Sequence, residues 1–165
     1  MEIDRGEVWN LEAFGMSNVK RTSSPLDPGS KCQRAESLDE GTDKRLGHYY
    51  LSGGTRPELA FATAYMSQFS DNPSEEHWNG IEHILRYMKQ TINHGLLYRR
   101  SGNSVQAFCD ADWVGDKTGR KPFSGYAITL AGSAFSLSCK KQRTPALSTV
   151  EAEYMAMCHA AREVL

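Results

Sequence analysis

The residues with the clearest chemical meaning are two acids set where apolar side chains are expected. In residues 104–116, SVQAFCDADWVGD, the side chains Val105, Ala107, Cys109, Ala111 and Trp113 alternate with Gln106, Phe108, Asp110 and Asp112. That period of two is a β-strand's, and it sends Asp110 to the same sheet face as Phe108. A carboxylate in such a place is costly unless it is paired, protonated or bound to a cation. The second acid is Glu153. Ser148 and Glu151 form a capping box that opens a helix running to the end of the chain. Along its seam Val150, Glu153, Met157, Ala160 and Val164 recur at spacings of three, four, three and four, which puts Glu153 on the expected buried stripe. One carboxylate on a strand and one in the first turns of a helix packed on that strand are hard oxygen ligands of the kind Mg²⁺ or Mn²⁺ takes. Mg²⁺ binds oxygen at about 2.0–2.1 Å and keeps several waters. Such a pair suits phosphoryl chemistry.

The elements that must position these acids are legible from punctuation and periodicity. Thr55 and Glu58 form a capping-box pair with Pro57 in the first turn, and Leu59, Ala62, Met66 and Phe69 make a helical stripe. Asn72 as cap and Pro73 at the first helical position start a second helix, with stripe Trp78, Ile81, Leu85, Met88 and Ile92 and a stop at Gly95. Two amphipathic helices joined by a short turn make a helical hairpin. Leu96, Leu97 and Tyr98 read as a short strand leading into the Asp110 strand. A β-meander follows, with Tyr126, Ile128 and Leu130 on one face of the next strand, a turn at Ala131, Gly132 and Ser133, and then Phe135, Leu137 and Cys139.

Composition bounds the rest. A length of 165 fits one domain or little more, and 39% apolar residues allow an ordinary soluble core. No apolar run approaches the about 20 residues of a membrane span, and residues 1–7 lack the apolar stretch of a signal peptide, so no membrane partner and no export are expected. Cys32, Cys109, Cys139 and Cys158 form no C-x-x-C pair, so neither a disulfide framework nor zinc is expected. Net charge is −1, so any contact with nucleic acid must rest on local patches. Residues 1–54, with Pro25, Asp27, Pro28 and Gly29 in a turn-rich stretch, read as a poorly structured linker.

Three motifs in order, AFCDADWVGD (107–116), FSGYAITLAGSAFSLSCKKQ (123–142) and LSTVEAEYMA (147–156), resemble the ribonuclease H domain of copia-type LTR retrotransposon polyproteins. TRPELAFA and HWNGIEHILRYMKQT are similar to the same family and extend the resemblance to residues 55–165. FGM at 14–16 and SSPLDPGSK at 23–31 are similar to the segment that follows the reverse transcriptase core. The resemblance implies an α/β protein divided as follows: a poorly structured reverse transcriptase tail over 1–54, a helical hairpin connecting segment over 55–98 and a partial ribonuclease H-like domain over 99–165. That last part is an incomplete fold, a three-stranded antiparallel meander plus one helix. The resemblance also implies a metal-dependent hydrolase that cuts the RNA strand of RNA–DNA hybrids, with Mg²⁺ ions activating water and stabilising the leaving oxygen. Asp110 and Glu153 match its catalytic metal ligands. The family's further acid comes from a strand after the helix at which this chain ends, and Leu137 stands where Trp is common. An isolated chain without that acid is expected to be inactive. Its implied partners are an RNA–DNA hybrid and the rest of the polyprotein, meaning the reverse transcriptase core and the remaining ribonuclease H domain. The implied location is intracellular and cytoplasmic, in virus-like particles if the element is active.

Each candidate has a plainer reading beside it. Asp110 serves equally as a solvated strand-end acid, Asp112 as a turn-former and Glu151 as a helix cap. Lys140, Lys141 and Arg143 either protect an edge strand or contact phosphates, and Lys117, Arg120 and Lys121 carry the same two readings. His77, His83, His94 and His159 lack metal-ligand spacing and read as helix-surface or interfacial groups. Trp113 and Tyr126 read as core, with stacking on a base as the other option. The competing functional reading is a catalytically inactive remnant, at most a weak nucleic-acid-binding or structural fragment.

Overall fold

The computed structural model describes residues 19–27, 32, 56–100, 102, 104–112 and 121–165. They fall into two compact units, Met1–Gly95 and Leu96–Leu165. Most of 1–54, and with it Thr55, Trp113, Asp116, Lys117 and Arg120, lies outside the described residues. Among the described residues no helix is long and apolar enough to cross a membrane.

In the first unit a 3-10 turn at Pro57–Leu59 runs into α1 (Ala60–Ser67), and α2 spans Glu75–Gln90. The expected stripes are the buried ones. Leu59, Ala62 and Met66 meet Ile81, Ile84, Leu85 and Met88, with Val19, Leu26, Cys32, Trp78 and Ile92 packed around them. Close approach is possible because Gly80 faces Met66: a Cβ there would lie 2.8 Å from the Met66 methyl.

The helix ends differ from expectation, and in each case a better-placed polar group wins. The first turn is preceded by Arg56, with no side-chain cap; Glu58 instead accepts from Arg56 Nε at 2.7 Å. Arg56 is fully buried and also donates to Thr91 Oγ1, tying the start of the hairpin to the end of α2. The cap of α2 is Ser74, not Asn72, because His77 closes a capping box with it: the Ser74 N–H donates to His77 Nδ1 at 2.8 Å. His77 is wholly buried and stacks on Phe69 at 4.1 Å, so of its two expected settings, helix surface and interface, it takes the second. His83 likewise has partners, Thr22 Oγ1 at 3.2 Å and the Ser24 carbonyl at 3.0 Å. α2 ends at Gln90, well before Gly95, because the Thr91 backbone leaves the helical region (φ −111°, ψ 19°), its N–H shared between the Tyr87 and Met88 carbonyls in a tightened last turn.

The second unit is an antiparallel sheet in the order β1-β2-β3, formed by β1 (Gln106–Asp112), β2 (Phe123–Leu130) and β3 (Ser133–Lys141), with α3 (Thr149–Val164) packed on β1 and β2. Among the described residues the chain is thus α/β, with three strands and three helices. Ala131 and Gly132 both take positive φ, 55° and 86°, which matches a tight two-residue hairpin to the twist of β2 and β3. Residues 96–98 are no strand. They are held by scattered bonds to the hairpin instead: the Ser133 hydroxyl donates to the Leu97 carbonyl at 2.6 Å and Tyr98 OH to the Ala134 carbonyl at 2.7 Å. β3 carries an irregularity, since Ile128 pairs with Ser136 and Thr129 with Ala134, leaving Phe135 as an extra residue.

Candidate functional site

Asp110 sits in β1, paired with Gly125, which pairs in turn with Cys139. Its side chain is exposed, as are those of every β1 residue except the half-buried Ala111. The expectation of a buried strand acid is therefore corrected. Within the described sheet β1 is an outer strand, so one side of it meets no neighbour. Burial at the far end of Asp110's row falls on Cys139 instead, whose thiol is pushed up to about 11 by desolvation.

Glu153 is also exposed, and of the expected seam of α3 only Ala160 is buried. Ala152, Ala156 and Ala160 are buried, whereas Val150, Met157 and Val164 lie in the open. Small residues win this contact because they let the helix backbone lie close to the sheet, which longer side chains at 150, 157 and 164 would hold off. Glu151 is the cap that the sequence suggested, with one shift. Ser148 Oγ accepts from the Glu151 N–H at 3.1 Å, and the Glu151 carboxylate reaches back past Ser148 to the Leu147 N–H at 2.7 Å.

What joins the two acid-bearing elements is a residue the sequence reading passed over. Gln142 leaves the end of β3, its N–H bonded to the Pro122 carbonyl at 2.8 Å. Its buried amide nitrogen donates to Ser124 Oγ and, at 3.0 Å, to the Ala152 carbonyl. Ser124 pairs with Ala111, the neighbour of Asp110, and Ala152 is the neighbour of Glu153. Both carboxylates thus leave from the same end of the sheet and helix. They do not leave from the same sheet face. α3 covers the face of Ser124 and Ile128, where Ser136 Oγ also donates to Glu163 at 3.3 Å, and Asp110 lies in the alternate row with Gly125 and Cys139. No sequence signal separates Gln142 from its polar neighbours Lys140, Lys141 and Arg143; only the tertiary hydrogen bonds do.

The basic cluster is likewise divided. Lys140 pairs with Ser124 and Lys141 with Phe123, so the two alternate between faces, while Arg143 lies beyond the strand and is exposed. Among the described residues no three His, Cys, Asp or Glu side chains come together as a metal cluster. Two exposed carboxylates on different faces do not fit the near-octahedral oxygen shell of Mg²⁺ by themselves.

Comparison with known proteins places the chain. It is 34% identical to the retrovirus-related Pol polyprotein from transposon TNT 1-94 of Nicotiana tabacum, over 94% of this chain and 12% of that protein. To the Pol polyprotein from transposon RE1 of Arabidopsis thaliana it is 33% identical, over 93% of this chain and 11% of that protein. It is 43% identical to the secreted RxLR effector protein 161 of Plasmopara viticola, over 70% of this chain and 82% of that one. No family model matches the chain, and neither does any solved structure. The chain spans about an eighth of the Pol polyproteins it matches along nearly its whole length, and it belongs to their family, the retrovirus-related Pol polyproteins of transposons, as a segment of the copia type.

Proposed function

We propose that this segment is the junction between reverse transcriptase and ribonuclease H in such a polyprotein. On this reading the second unit is the first half of a ribonuclease H-like fold, which in the intact polyprotein hydrolyses the RNA strand of an RNA–DNA hybrid. The observation that supports it is the Gln142 junction, which sets the strand of Asp110 and the helix of Glu153 at one end of the unit. Asp110 and Glu153 are the proposed catalytic acids, with Mg²⁺ or Mn²⁺ as cofactor. The described residues supply only part of its shell. Lys140, Lys141 and Arg143 are the proposed phosphate contacts, and a hybrid would be recognised through its shape, phosphates and 2′-OH groups. The rest of the polyprotein completes the unit. An intracellular site of action, in virus-like particles, belongs to the same proposal.

A second reading, a catalytically inactive remnant, draws support from the exposure of both acids and from the absence of a three-acid cluster among the described residues. One assay separates the two. The 165-residue chain is expected to cleave an RNA–DNA hybrid no faster than its Asp110→Asn variant, whereas a chain extended through the rest of the domain should cleave it, and bind Mn²⁺, in a way that Asp110→Asn and Glu153→Gln each reduce. Equal Mn²⁺ binding by all three extended chains would remove the site and leave the remnant. Metal-dependent cleavage by the 165-residue chain that vanishes in Asp110→Asn would mean that Asp112 or Asp116 completes a working centre.

A further inference from the structure

The first turn of α3 is held to the sheet by one side chain, and that side chain has a rigid frame. Gln142 follows β3 directly, and its own N–H is bonded to the carbonyl of Pro122, a fully buried residue at the entry to β2. Its amide nitrogen, buried like the rest of the residue, donates to Ser124 Oγ on the sheet and to the Ala152 carbonyl on the helix. Packing alone does not account for this amide. Its oxygen is buried and, among the described residues, meets no donor, an arrangement that a methionine of the same length would avoid. What the amide supplies is direction. The seam of α3 is Ala152, Ala156 and Ala160, and side chains of one carbon interlock too little to fix the height or rotation of a helix over a sheet. Among the described residues the other hydrogen bond from α3 to the sheet is Ser136 to Glu163, exposed and at the far end of the helix.

We infer that Gln142 is a positioning residue for Asp110 and Glu153, an inference that rests on the ribonuclease H reading proposed above. Asp110 is fixed by the unbroken ladder of β1 with β2, one residue from the Ala111–Ser124 pair. Glu153 follows Ala152, so its place depends on where the first turn of α3 lies. With the amide bonded at both ends, that turn has one height and one rotation over the sheet. Without it the alanine seam lets the turn shift, and Glu153 moves while Asp110 stays. A misplacement of about 1 Å in a reacting group can lower a rate on the order of 100-fold. Gln142 is itself buried, so it acts on the acids through the backbone and not on a nucleic acid. Its loss therefore lowers kcat and spares the binding of a hybrid.

Three substitutions test this: Gln142→Met, which keeps the length of the side chain, Ser124→Ala, a milder change at the same amide, and Ala160→Gly, which loosens the far end of the same helix. In the 165-residue chain, amide exchange of Gln142→Met should show protection lost over residues 150–154 and kept in β2. In the chain extended through the rest of the domain, Gln142→Met should lower kcat on an RNA–DNA hybrid by about 10- to 100-fold with KM unchanged. Ser124→Ala should show the same split at smaller size, and it decides the matter if Gln142→Met does not fold. Adding Ser124→Ala to Gln142→Met should have no further effect, because both act through one contact. Ala160→Gly should lower the melting temperature and leave kcat in place. Wild-type kcat in the Gln142 and Ser124 variants, an equal fall in Ala160→Gly, or a rise in KM in place of the fall in kcat would overturn the inference and leave the ribonuclease H reading standing. Cleavage by the extended wild-type chain that does not depend on Asp110 would overturn that reading and the inference with it.

Discussion

The helical hairpin and the sheet unit are held together by different kinds of contact. In the hairpin, Leu59, Ile81, Ile84, Leu85 and Met88 are each 1% exposed and touch one another across α1 and α2. In the sheet unit the buried set is small, Ala146, Ala152, Ala156 and Ala160 with Phe123 and Ile128, and large apolar groups such as Phe108, Phe135 and Tyr154 face outward. Fully burying a Leu or Ile side chain gains about 1.5–3 kcal/mol over leaving it exposed, and an alanine seam offers only a fraction of that. The hairpin is therefore self-sufficient in its apolar contacts. The sheet unit has surface to spare for another chain or another part of the polyprotein.

That contrast can be broken or sharpened by substitution. The largest effect is expected in the hairpin: Leu85→Ala should cost about 2–5 kcal/mol through lost burial and a residual cavity. Amide exchange should show protection lost in α1 and α2 but kept in β2, and an equal loss in β2 would mean that the two units are not stabilised separately. Gln142→Ala should come next, at about 1–3 kcal/mol, because it strips the buried Ser124 hydroxyl and the Ala152 carbonyl of a shared donor. Urea unfolding followed in the second unit would measure it, and a neutral result would deny that this amide holds α3 to the sheet. The smallest effect is a gain. Ala131 holds φ at 55°, a strained value for a residue with a Cβ, so Ala131→Gly should stabilise the sheet unit by about 0.5–1 kcal/mol.

By itself the sequence determined the periodic parts of this protein. The stripe of Leu59, Ala62 and Met66, the strands β1 and β2, the turn at Ala131 and Gly132 and the cap at Ser148 all depend on neighbours within a few residues, so spacing alone carries them. The motifs also carried the family, because ordered identity along the chain does not need a fold to be recognised. Tertiary structure decided what lies between elements. Val150, Met157 and Val164 have the right spacing for a helix seam, yet Ala152, Ala156 and Ala160 pack closer to the sheet, and Glu153 turns out to solvent as a result. Nothing in their local sequence marks Arg56, His77 and Gln142 for burial; Thr91, Ser74, Phe69, Ser124 and Ala152 do so once packing brings them close. Burial of a polar group is decided by its partners, and those partners are set by packing rather than by local sequence.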